Sequence, residues 1–157
     1  MARLILITPL VLLSACALVP EPATGPGAAE PVTETLDSTP PPPPPVEART
    51  AEEFDTTTAE DRAAALAQPA AATEAALGTT VVSLGPPTDP GIWIETPLVS
   101  AIQMGRVDYG PAGTSIAIEL RPSGGAAGSG SQISLAAMRL LEIPLTALAE
   151  VTVYSGG

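Results

Sequence analysis

The chain has 157 residues, with 17 acids against six cations and no histidine. All six cations are arginines, and the formal net charge of −11 excludes the basic footprint of a nucleic-acid binder and any electrostatic attraction to anionic lipid. The aromatic residues are Phe54, Trp93, Tyr109 and Tyr154. With so few large side chains, any core must be built from Val, Ile and Leu and will be small.

Met1-Ala2-Arg3 is a short cationic start, and Leu4 to Leu13 is almost wholly apolar. That run is far short of the ~20 residues that span a bilayer as a helix, and it fits the apolar region of a signal peptide. Leu13-Ser14-Ala15-Cys16 follows at once. The tetrapeptide resembles the lipobox of bacterial lipoproteins. The resemblance implies cleavage after residue 15, lipid on the sulfur of Cys16, and membrane attachment through that lipid. Cys16 is the single cysteine, so its acylation leaves no thiol for a disulfide, a metal or a nucleophile. Residue 17 is Ala. In lipoprotein sorting of the Gram-negative type, Asp at that place favours the inner membrane, so the resemblance implies an outer-membrane protein facing the periplasm.

Removal of residues 1–15 leaves 142 residues, enough for one ordinary domain. Residues 16–58 read as a disordered tether rich in Pro, Glu, Thr and Ala, with six consecutive prolines from Pro40 to Pro45. The proline run favours polyproline II, and reads either as a spacer or as a ligand for a domain that recognises that helix. The net charge is −9 over residues 16–77 and −3 over residues 78–157, so self-repulsion extends the tether. A flexible chain of that length spans roughly 35–40 Å. Residues 59–77 read as an Ala-rich helix with Thr58 as N-cap, Glu60 and Asp61 in the first turn and Pro69 as a break.

Residues 78–157 read as the folded domain. Strands are predicted over Thr79–Leu84, Ile92–Glu95, Leu98–Ile102, Arg106–Tyr109 and Glu150–Tyr154, with Gly105 as a break between two of them. Thr114 to Leu120 alternates, with Ile116, Ile118 and Leu120 on one face and Ser115, Ala117 and Glu119 on the other. Ser134 caps a helix to about Leu141, with Leu135, Met138 and Leu141 inward. The fold class is mainly β, a small barrel or an α+β domain, with one short C-terminal helix behind a long disordered tether.

The order of elements over residues 90–154 resembles the double-psi β-barrel domain of rare lipoprotein A. Gly113 to Leu120 corresponds to its turn and alternating strand, Arg121-Pro122 to the remnant of its Asp-Arg-Gly-Pro loop, Ile133-Ser134-Leu135-Ala136-Ala137 to its helix entry, and Val151-Thr152-Val153 to its last strand. The lytic members of that family carry an acid before the loop arginine and a nearby histidine. Here Leu120 precedes Arg121 and histidine is absent.

No catalytic residue, metal ligand set or cofactor motif emerges. Histidine and lysine are missing as bases, and the Gly124–Gly130 loop lacks the Gly-Lys-Ser/Thr of a phosphate cradle. Asp108 and Glu119 lie on strands able to adjoin, either as a paired-carboxylate site or as exposed acids bound to Arg106 and Arg121. Trp93 and Tyr109 are the candidate binding residues, as faces for a sugar ring; the competing reading makes Trp93 a core residue. The final strand near Tyr154 offers an edge for pairing with another protein. The expected function is a lipid-anchored envelope protein with a small non-catalytic binding or assembly module, its partner an envelope protein or peptidoglycan. The alternative is a degenerate cell-wall glycan-cleaving enzyme or sugar-binding module.

Overall fold

The computed structural model describes residues 40–67 and 74–156. They form α1 (Ala51–Phe54), α2 (Ala59–Ala67), β1 (Ala75–Leu84), β2 (Trp93–Thr96), β3 (Gln103–Tyr109), β4 (Thr114–Pro122), β5 (Ser131–Ile133), α3 (Leu135–Leu140) and β6 (Ala149–Ser155). The six strands close into a barrel in the order β1-β5-β2-β4-β3-β6. The mainly β class and the short C-terminal helix are as the sequence predicts. Among the described residues no helix is long and apolar enough to cross a membrane.

Two neighbouring pairs are parallel, β1 with β5 and β2 with β4, and the other four are antiparallel. Parallel neighbours need crossing connections, so the chain winds around the barrel instead of meandering. β6 pairs with β1 on one side and with β3 on the other. The free edge predicted for the last strand therefore does not exist, because closure gives its backbone groups partners on both sides.

The alternation of β4 sets the inside of the barrel. Ile116, Ile118 and Leu120 point inward and are at most 1% exposed. They meet Val82, Ile94, Val107, Ile133, Val151 and Val153 from the other five strands. Burial of each large aliphatic side chain is worth about 1.5–3 kcal/mol. α3 closes the core with Ala137, Met138 and Leu141. Its cap is Ser134, whose buried hydroxyl accepts from the Ala137 N–H at 3.3 Å and from the Trp93 N–H at 3.2 Å. One side chain thus starts the helix and ties it to β2. A buried hydroxyl pair, Thr80 and Ser131 at 2.8 Å, links β1 to β5.

Several boundaries differ from the sequence reading. Residues 75–77 are strand and not helix, because Ala75 and Ala76 pair with Ser155 and Tyr154 of β6. Leu98–Ile102 is a turn region, entered by the Leu98 N–H donating to Thr96 Oγ1 at 3.3 Å, and Ile102 is 67% exposed. Gly105 does not interrupt a strand. It lies inside β3 opposite Ile118, where the backbone of β6 and the Leu120 side chain come too close for any Cβ. β5 has only three residues, and its last, Ile133, is helix entry by the sequence resemblance; pairing with both β1 and β2 makes it a strand.

Residues 40–58, assigned to the C-terminal part of the tether, lie on the barrel as a strap continuous with α2. Thr56 donates to the Pro42 carbonyl at 2.6 Å, and the Asp55 carboxylate, 3% exposed, accepts from Arg139 at 3.1 Å and faces Arg62 at 3.5 Å. α2 packs on β4, burying Ala65 and, beneath it, the outward-facing Ala117. Residues 16–39, where the rest of the tether was placed, and 68–73 lie outside the described residues.

α1 is held by reciprocal bonds at its start. The Glu53 N–H donates to Thr50 Oγ1 at 3.4 Å, and the Glu53 carboxylate accepts from the N–H groups of Arg49 at 2.7 Å and Thr50 at 3.0 Å. These backbone donors, Arg49 first, hold the Glu53 carboxyl below its ordinary value of 4.5. A depressed folded-state value stabilises the turn above the unfolded value and loses that stabilisation as pH falls through the folded one. The protection of the α1 amides relative to intrinsic exchange, which itself slows in acid, is expected to fall below about pH 4.5 in the wild type, and Glu53→Gln is expected to remove that dependence. In the barrel, Gly105→Ala is expected to cost about 1–3 kcal/mol in urea unfolding by overpacking. Gly110→Ala, at a turn with open space around it, is expected to change stability far less.

Candidate functional site

The outward faces of β3 and β4 carry the candidate carboxylates. Asp108 stands opposite Ser115, and Glu119 stands opposite Met104. The two acids are therefore four residues apart along one ladder, roughly 13 Å at the rise of a strand. A glycosidase pair sits closer than about 9.5 Å. Each acid is also bound to its own arginine. Arg106 pairs with Asp108 and, through Nε at 2.8 Å, with Glu74. Arg121 pairs with Glu119 and, through Nη1 at 3.0 Å, with Asp89. The structure brings the two strands together and leaves the two carboxylates apart.

The two arginines repeat one arrangement. The Arg106 guanidinium lies 4.0 Å from the centroid of the Tyr154 ring, and that of Arg121 lies 4.9 Å from the Trp93 ring. Each cation thus has an aromatic face beneath it and two carboxylates at its edge. Burial works against the Arg106 charge, and the bonds to Asp108 and Glu74 outweigh it, so its affinity for the proton is raised. Ser115 completes that cluster by donating to Asp108 at 2.6 Å.

Trp93 and Tyr109 are not brought together. Tyr109 is half-buried and packs against the barrel core from β3. Trp93 pairs in register with outward-facing Glu119, while its neighbour Ile94 points inward. It is nevertheless 1% exposed, because the loop between β1 and β2 and the Arg121 side chain cover it. Its Nε1–H donates to the Asp89 carbonyl at 3.2 Å. Gly85 is required here: a Cβ would lie 2.6 Å from Trp93 Cη2. Trp93 therefore seals the outside of β2, a place that alternation alone reads as solvent-facing, and it presents no ring face to a ligand.

Two concavities border these faces among the described residues. A cleft of about 220 Å³ lies between the strap and β4, with Pro40 and Pro41 on one side and Met104, Ala117, Glu119 and Arg121 on the other. A more open groove of about 540 Å³ runs over the outward face of β1, β5 and β2. Its floor is a cross-strand row, Ser83 opposite Gln132 and Gln132 opposite Glu95. The Ser123–Gly130 loop forms one wall, and Val81 and Leu148, 46% and 75% exposed, supply apolar surface. Its volume is within the range of ligand sites, whereas the strap cleft is below it. The sequence reading missed this row. Its signal is weak: polar residues at alternate positions of three short strands, whose registry is visible only after closure. Cys16, the predicted lipidation site, lies outside the described residues. Among those residues no cluster of three metal-ligating side chains occurs.

In comparisons with known proteins, no family model, curated protein or solved structure matches the chain.

Trp93 is the single tryptophan, so its fluorescence reports this face alone. Arg121→Ala is expected to shift emission to longer wavelength and raise acrylamide quenching several-fold, with the fold retained by circular dichroism. Arg106→Ala, at the Tyr154 stack, is expected to leave both readings unchanged.

Proposed function

We propose that the chain is a lipid-anchored envelope protein, held in the outer membrane facing the periplasm by lipid on Cys16, whose barrel is a non-catalytic binding or assembly module. The partner is an envelope protein or peptidoglycan. The observation that carries the module reading is the 540 Å³ groove, which is open, of ligand size and lined by hydroxyl, amide and carboxylate groups with no His, Lys or Cys among them. The address rests on Leu13-Ser14-Ala15-Cys16 behind its short apolar run, and the choice of membrane on Ala17.

The likeness to the double-psi barrel of rare lipoprotein A belongs to the same proposal. A closed barrel with two parallel strand pairs and crossing connections supports it. Cell-wall cleavage does not follow from that likeness. Glu119 and Asp108 are apart and arginine-bound, and Leu120 occupies the place of the acid before the loop arginine.

The test of the address is the intact mass of the membrane-extracted protein beside a Cys16→Ser variant. A mass for residues 16–157 plus acyl groups, absent from the variant, is expected; an unmodified soluble wild type would overturn the anchor. Incubation with purified cell wall is expected to release no soluble fragments, and release that depends on Asp108 or Glu119 would overturn the non-catalytic reading.

A further inference from the structure

The barrel arginines are all engaged, each by two carboxylates. Arg106 holds Glu74 and Asp108, Arg121 holds Asp89 and Glu119, and Arg139 holds Glu52 and Asp55. Of the acids in residues 74–156, this leaves Glu95, Glu142 and Glu150 without an ion pair to a described residue. Of these three, Glu95 lines the open groove, where it is the single charged side chain. Glu95 lies in the groove floor opposite Gln132. A carboxylate with no ion pair to a described residue therefore stands in a groove that also carries two exposed aliphatic side chains.

We infer that this groove takes a cationic segment of a partner protein, one that presents Lys or Arg. Such a side chain has two parts, an aliphatic stem and a charged head. Val81 and Leu148 offer the stem an apolar surface. Glu95 accepts from the head, and the Gln132 and Ser83 side chains add polar partners along the same row. Other ligand chemistries fit less well. The groove contains no cation to receive an anion. A metal ion finds no cluster of three ligands among the described residues. A neutral saccharide leaves Glu95 without a counter-charge and meets no aromatic face there. This inference rests on the reading of the barrel as a binding module and names the chemistry of its partner.

The test uses the full lipidated chain, labelled with 15N, in neutral detergent micelles. The probes are the acetylated, amidated tetrapeptide Leu-Lys-Leu-Arg and, separately, chitotetraose. The expected result is peptide-induced amide shifts confined to residues 81–84, 95 and 123–132, weakened by added salt. Glu95→Gln is expected to weaken binding up to about fivefold, the scale of one partly exposed ion pair. Leu148→Ser is expected to weaken it as well, and Glu142→Gln to leave it unchanged. Shifts spread over the surface, with Glu95→Gln and Glu142→Gln equivalent, would overturn the site in favour of diffuse attraction. Shifts with chitotetraose and not with the peptide would overturn the cationic partner while leaving the binding module in place. No shifts with either probe would overturn both.

Discussion

Closure of the sheet is the constraint on which the rest depends. The buried core holds aliphatic side chains and Met138 and no fully buried aromatic ring, because the chain has almost nothing larger to place there. A small core of that kind cannot support an open sheet with two hydrophobic faces and two unpaired edges. When β6 bonds to both β1 and β3, every strand gains two neighbours and one enclosed face suffices. The parallel pairs are part of the same solution, since they let the short β5 and β2 fill the gap between β1 and β4. α3 then closes the core with Met138 and Leu141, and Ser134 joins that plug to β2.

With the inside so small, the outside of the barrel carries unusual weight. The single tryptophan lies there, under Arg121, and Tyr154 lies under Arg106. Both arginines are flanked by acids drawn from different parts of the chain: Glu74 and Asp108 for one, Asp89 and Glu119 for the other. A guanidinium suits this use, being flat enough to stack and forked enough to meet two carboxylates. The strap uses the same chemistry, with Asp55 between Arg62 and Arg139. The acids that are candidates for catalysis by sequence are thereby structural, and of the acids left without an ion pair in residues 74–156, Glu95 faces the open groove.

The strap also alters how the acidic N-terminal half is read. Its proline run begins on the barrel, where Pro40 and Pro41 border the cleft over β4. The proline and acid content that marks a tether is compatible with docking where a few side chains find partners. Thr57 and Ala65 supply the buried contacts, and Asp55 supplies the charge. Composition averages over such contacts and so does not reveal them.

The class, the alternating β4, the Ser134 cap and the inward set of α3 were legible because each follows from local pattern or capping chemistry. β5, the strand character of residues 75–77 and the place of Gly105 inside β3 were not, since each depends on partners far away in the chain. The separation of Asp108 from Glu119 was hidden for the same reason: adjacency of strands is local information once they pair, but register is not. Trp93, by sequence either a binding face or a core residue, is buried beneath Arg121 and outside the barrel core. Composition alone settles the scarcity of aromatic side chains for the core, the lack of a histidine or lysine base, and the negative charge. Which acids arginine holds, and that Glu95 stays unpaired at the groove, follow from the folded chain, because the ion pairs join residues as far apart as Asp55 of the strap and Arg139 of α3, which meet when the strap docks on the barrel.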